Sequence, residues 1–130
     1  MRRQFDLPED DLEGLAARGL PFETVREGES MLLILPTYPV PAGYNVRQAI
    51  ALLRIPPKYP DDQIDMVYFS PGLSLTSGKQ IRQLSPCQYD GKQFQQWSRH
   101  RTQQNPWRPG LDNICTHLLQ VDSWLLRELK

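Results

Sequence analysis

The sequence predicts an α+β domain, and three observations lead there. Helical periodicity is confined to the two ends of the chain, and short segments rich in β-formers fill residues 22 to 69. Twelve prolines, nearly twice the ~5% background, concentrate in connections between periodic segments, which argues against a helical bundle. A chain of 130 residues fits one domain spanning residues 1 to 130 around one core.

The elements follow in order. Asp6 and Glu9 have the spacing of a capping box, Pro8 suits a first turn, and Glu9, Asp10 and Asp11 suit the positive end of a helix. A helix should run from here to about Arg18, with Leu12, Leu15 and Ala16 as its apolar stripe and Gly19 as its stop. Phe22 to Arg26 and Met31 to Leu35, separated by Glu27-Gly28-Glu29-Ser30, read as a hairpin. Pro36, Pro39 and Pro41 with Gly43 should end its second strand, because proline cannot donate to a ladder. Ala49 to Ile55 and Ile64 to Phe69 flank Pro56-Pro57-Lys58-Tyr59-Pro60 and complete a four-stranded antiparallel meander. Residues 70 to 96, with the turn residues Ser70 to Ser74 and the glutamine-rich Gln88 to Gln96, are expected to be irregular. Leu111, Ile114, Cys115, Leu118, Leu119, Leu125 and Leu129 fall on or near one face of a C-terminal helix. Gly110 or Asp112 can cap its start, and Arg127 and Lys130 suit its negative end.

Fifteen basic and fifteen acidic residues balance, so no global field favours nucleic acid or an anionic membrane. Neither partner is expected. The start, Met1 to Asp6, lacks the apolar region of a secretory signal, and no apolar run approaches the ~20 residues of a membrane helix. A cytoplasmic location follows, where Cys87 and Cys115 remain thiols. His100, His117, Cys87 and Cys115 match no zinc spacing, and Gly72, Gly78 and Gly91 are isolated, so neither metal nor nucleotide cofactor is expected.

Tyr59-Pro60 followed by the apolar Ile64 to Phe69, and Trp107-Arg108-Pro109 ahead of the last helix, resemble the ubiquitin-conjugating enzyme fold in their order and separation. From about Phe22 to Leu129 the chain looks closest to the compact bacterial branch called prokaryotic family E of that fold. The resemblance implies an N-terminal helix, a four-stranded meander, an irregular active-site segment and a C-terminal helix. It also implies a conjugating enzyme that accepts the C-terminal acyl group of a ubiquitin-like protein from an activating enzyme and passes it to a target. Related proteins meet the activating enzyme through the first helix, which here carries Glu9, Asp10 and Asp11. By analogy with bacterial operons of this type, the pathway would serve antiviral defence.

Two departures concern chemistry. The His-Pro-Asn triplet that usually precedes the nucleophile is absent, and the usual cysteine, about nine residues before the Trp-x-Pro element, is replaced by Ser98 in Trp97-Ser98-Arg99-His100. Acyl transfer needs an exposed nucleophile, a group to handle its proton and donors where the oxyanion develops. Ser98 can be the nucleophile, His100 the base or carbonyl polariser, and Arg99 or Arg101 the offset to negative charge, giving an oxyester intermediate. The bland alternatives are a surface hydroxyl, a solvated imidazole and a solvated basic edge. Cys87 is the runner-up nucleophile, although it lies 20 residues before Trp107. Cys115 reads as core, Tyr59, Trp97 and Trp124 as core or wall, and Trp107 as packing beneath the active-site segment. Two other functions compete: a catalytically silent or RWD-like adaptor, and a small α+β hydrolase using Ser98 and His100, which lacks a G-x-S-x-G elbow.

Overall fold

Two helices and six strands follow one another in the computed structural model, which describes residues 1–130. They are α1 (Glu9–Ala17), β1 (Glu23–Glu27), β2 (Ser30–Pro39), β3 (Gln48–Ile55), β4 (Val67–Ser70), β5 (Leu84–Tyr89), β6 (Lys92–Trp97) and α2 (Ile114–Arg127). The α+β class is correct, but the sheet has six strands in the order β1-β2-β3-β4-β6-β5, every neighbour antiparallel, rather than the four expected.

The two extra strands overturn the irregular reading of residues 84 to 96. Tyr89 pairs with Lys92, leaving Asp90-Gly91 as a two-residue turn with φ of 53° and 70°. Positive φ at both central residues is the twist a tight hairpin needs, and Asp-Gly is the sequence that supplies it. The glutamines mislead because the hairpin is polar and only partly buried. Gln95 uses its amide to hold the backbone of Leu73, accepting from its N–H at 2.9 Å and donating to its carbonyl at 3.1 Å.

Strand β2 also runs longer than expected, through Pro36 to Pro39. Its register against β3 shifts between Leu35 and Tyr38, so Pro36 lies in the irregularity, where its missing N–H leaves no ladder bond unmade. Conversely β4 begins at Val67, not Ile64, because Met66 has φ of 61° and breaks the extended run.

Helix α1 has no side-chain cap: Pro8 precedes its first turn, and Asp6 lies too early to close the expected box. Its inward face is Asp11 and Leu15, whereas Leu12 and Ala16 are exposed. Helix α2 begins at Ile114 under a capping box formed by Asn113 and Thr116, so neither Gly110 nor Asp112 is the cap. Its buried face is Ile114, His117, Leu118, Val121, Trp124 and Leu125, while Leu111, Leu119 and Leu129 are exposed.

Both helices cover one face of the sheet, where Leu15, Ile114, Leu118, Val121 and Leu125 join Leu33, Leu35, Leu53, Phe69 and Trp97 in the main core. The opposite face carries a smaller cluster of Val25, Leu32, Ile34, Leu52, Tyr68 and Phe94. Gly14 lets the helices approach, since a Cβ there would fall 2.2 Å from Cys115 Sγ.

Candidate functional site

Backbone pairing does not stop at the end of β6. Ser98 N–H donates to Gln83 O at 3.0 Å, and Arg99 O accepts from Met66 N–H at 3.2 Å, so the chain leaves the sheet still bonded to neighbours on both sides. Side chains alternate along such an extended run. Trp97, Arg99 and Arg101 turn toward α2, and Ser98 and His100 take the other side.

The inward side chains are anchors. Arg99 lies 4.9 Å over the Trp97 ring, faces the Glu128 carboxylate at 3.7 Å and donates to the carbonyls of Arg82 and Ser98. Arg101 has a side chain only 5% exposed, stacks over Trp107 at 4.8 Å, sits 4.0 Å from Asp112 and contacts His117 Nδ1 at 3.2 Å. Burial pulls its pKa down, and the Asp112 and Asp65 carboxylates oppose the fall. Its guanidinium is therefore part of the interior, not an edge open to solvent. Trp107 lies beneath the segment and donates Nε1–H to Pro60 O at 3.0 Å.

His117 is fully buried, and its tautomer follows from its partners. Nε2 lies 2.8 Å from Met66 O, which can only accept, so Nε2 carries the hydrogen. Nδ1 is then the lone pair that accepts from Arg101. Burial lowers the imidazole pKa to about 4, the Met66 carbonyl opposing and the Arg101 charge reinforcing the fall. Asp112 is held the other way. Burial raises its pKa, but the Arg108 N–H at 2.7 Å and the neighbouring guanidiniums more than offset this, and the carboxyl stays below its usual range.

The outward side chains form a different group. His100 is 66% exposed, and its Nδ1 lies 2.8 Å from Asp65 Oδ2. Asp65 Oδ1 is buried without a partner. The left-handed backbone of Met66 follows immediately, pinned on both sides by Arg99 O and His117 Nε2–H. A non-glycine residue there stores about 1–3 kcal/mol, tolerated only where surrounding bonds fix it. Asp65, Met66 and Tyr68 also wall a groove of about 270 Å³ with Arg54 and Pro57. Ser98 is half-buried, and its Oγ accepts from Gln96 Nε2 at 3.0 Å, which leaves the hydroxyl hydrogen uncommitted. The structure thus brings His100 to Asp65 and Ser98 to Gln96, with no hydrogen bond between Ser98 and His100.

Cys87 lies on β5, half-buried, with Sγ 3.9 Å from Phe94 O, and burial pushes its thiol pKa up, away from the reactive thiolate. Cys115 sits against Gly14 between the helices and is likewise raised by burial. Asp11, expected on a partner-facing surface, is buried instead. Its Oδ1 accepts from Ile114 N–H at 3.1 Å and its Oδ2 from Tyr59 O–H at 2.7 Å, while Tyr59 accepts from the same N–H at 2.8 Å. Desolvation raises the Asp11 pKa against the pull of these bonds. This cap ties α1, the Tyr59-Pro60 turn and α2 together.

Sequence reasoning missed Asp65, Gln96, His117 and the inward Asp11. His117 and Asp11 carried a usable signal, each being a polar residue at helical spacing from buried apolar ones: Ile114 and Val121 in one case, Leu15 in the other. Asp65 and Gln96 carried none, because their partners are distant or depend on a strand not foreseen.

Residues 7–128 match the model of a protein family described as prokaryotic E2 family E. The chain belongs to that family. This agrees with the resemblance carried by Tyr59-Pro60 and Trp107-Arg108-Pro109. No curated protein and no solved structure matches the sequence. Membership makes the chain an E2-like protein of conjugating, transferase type, a class that works with a ubiquitin-like protein and an activating enzyme. No helix of this family E protein is long and apolar enough to cross a membrane.

Proposed function

We propose that this protein takes the C-terminal acyl group of a bacterial ubiquitin-like protein from its activating enzyme as an oxyester on Ser98, then passes it to a target. The observation that carries the reading is the Ser98 hydroxyl, cradled by the Gln96 amide at 3.0 Å, two residues from an exposed imidazole on the same side of an anchored segment. In the first step Ser98 Oγ attacks the thioester carbonyl, an O–C bond forms, and the hydroxyl proton passes to His100. The C–S bond then breaks, and the thiolate leaves with that proton. In the second step an amine attacks the ester, C–N replaces C–O, and the serine oxygen regains a proton. The Gln96 N–H suits the charge that develops on the serine oxygen as it leaves in the second step. In the free protein a water or the donor itself must bridge Ser98 and His100, as loose apo geometry often requires. Arg99 and Arg101 serve by holding the segment, and their charges act from beneath it.

A second reading, a silent adaptor that holds its partners without covalent transfer, is favoured by the lack of a base bonded to Ser98. Covalency separates the two. Incubation with the activating enzyme, ATP and the ubiquitin-like protein should give a mass shift at Ser98 that disappears in Ser98→Ala, survives thiol reductant and yields to hydroxylamine. An adduct that collapses in reductant would move the chemistry to a cysteine, Cys87 first. A stable complex without any adduct would establish the adaptor.

A further inference from the structure

We propose that Asp65 is the positioning residue of the site, fixing His100 with Nδ1–H toward its carboxylate and Nε2 as the basic nitrogen offered to the nucleophile. The inference rests on the acyl-transfer reading above and names the residue that makes His100 competent. Its ground is geometric. Asp65 Oδ2 lies 2.8 Å from Nδ1, and a carboxylate can only accept, so Nδ1 must be the protonated nitrogen. The other nitrogen of this imidazole, 66% exposed, has no hydrogen-bond partner in the protein, and in the neutral ring it is the one that carries the lone pair.

The carboxylate itself is held in place. Asp65 is half-buried, its Oδ1 closed off from solvent, and Met66 beside it is locked by Arg99 O and by His117 Nε2–H. Arg101 contacts that same His117, so the buried face of α2 fixes the backbone from which Asp65 projects. Two imidazoles thus divide the labour: buried His117 has both nitrogens bonded inside the protein, and exposed His100 has only Nδ1 engaged. When His100 Nε2 takes the proton of the attacking hydroxyl, the resulting imidazolium is formed beside the Asp65 carboxylate, which stabilises it without accepting the proton.

The test uses the full chain, a short peptide thioester as acyl donor and a free amine such as lysine as acceptor, with release of thiol as the readout. Asp65→Asn should lower kcat on the order of 100-fold, the low end of what a positioned base contributes, with KM little changed. His100→Gln should lower it at least as much, and the double variant should be no slower than His100→Gln, because residues acting as one unit are not additive. Nitrogen-15 NMR at pH 8 should find His100 as the Nδ1–H tautomer in the wild type. In Asp65→Ala it should revert toward the Nε2–H form, a change that simple loss of stability does not produce. A His100 tautomer that ignores Asp65→Ala, or a wild-type rate in Asp65→Asn beside an impaired His100→Gln, overturns the proposal alone. A wild-type rate in His100→Gln overturns the acyl-transfer reading beneath it.

Discussion

Replacing His117 by glutamine should flatten the acid dependence of stability. His117 is fully buried as the neutral Nε2–H tautomer, and burial beside the Arg101 guanidinium holds its pKa at about 4 against an ordinary 6.5. Its folded pKa is depressed, so its contribution is complete above pH 6.5 and is lost as pH falls through that window toward 4. Between those values the unfolded chain binds a proton that the native chain does not. The difference of 6.5 − 4 = 2.5 units, at about 1.4 kcal/mol per unit, gives a loss of about 3 kcal/mol. That is a large share of the ~5–15 kcal/mol by which a domain is stable. Three groups face His117: Arg101, whose charge lowers its pKa, and Asp65 and Asp112, whose carboxylates raise it. Glutamine keeps a donor and an acceptor but cannot ionise. Urea unfolding of both chains at pH 7, 6, 5 and 4 isolates the effect, provided the m-values agree. Asp11, with its raised pKa, acts in the opposite direction, but it is present in both chains and cancels. The wild-type advantage over His117→Gln should shrink by about 3 kcal/mol from pH 7 to pH 4. Parallel curves across that range would refute the buried neutral imidazole.

Three further predictions concern the fold. Asp11→Asn or Tyr59→Phe should each cost about 1–3 kcal/mol in thermal unfolding, because either leaves part of the buried cap at Ile114 unpaired. Charge reversal of the exposed Glu9 and Asp10 should stay within about 0.5 kcal/mol, so only those two can report on a partner surface without unfolding it. A wild-type Tm in Asp11→Asn would show that the cap contributes nothing. Gly91→Val should destabilise by about 1–2 kcal/mol, since φ is 70° there and no neighbour lies within 4 Å of a new Cβ, so that backbone strain is the whole effect. An unchanged Tm would mean that the turn relaxes to another form.

Much of the fold was legible because local chemistry and tertiary demand agreed. The stop at Gly19, the β1–β2 hairpin and the apolar β3 each carried a periodicity or a turn residue matching what the fold required. The β5–β6 hairpin was legible too, in Asp90-Gly91, but its glutamines masked the alternation of Phe94 and Trp97 into opposite cores. Half of the proposed site is contiguous in the chain. Ser98, His100 and Arg101 stand together in the sequence, whereas Asp65, 35 residues from His100, is joined to it only through space.

By itself the sequence determined the α+β class and the family, and it puts Ser98, Arg99, His100 and Arg101 in one short stretch, since patterning, Tyr59-Pro60 and Trp107-Arg108-Pro109 are all local facts. Only the tertiary structure decided which way each side chain of that stretch turns. The pairing that carries β6 past Trp97 sends Arg99 and Arg101 inward to Glu128 and His117 and leaves His100 facing Asp65. Such a choice depends on hydrogen bonds from strands distant in the chain, and no short-range pattern encodes it.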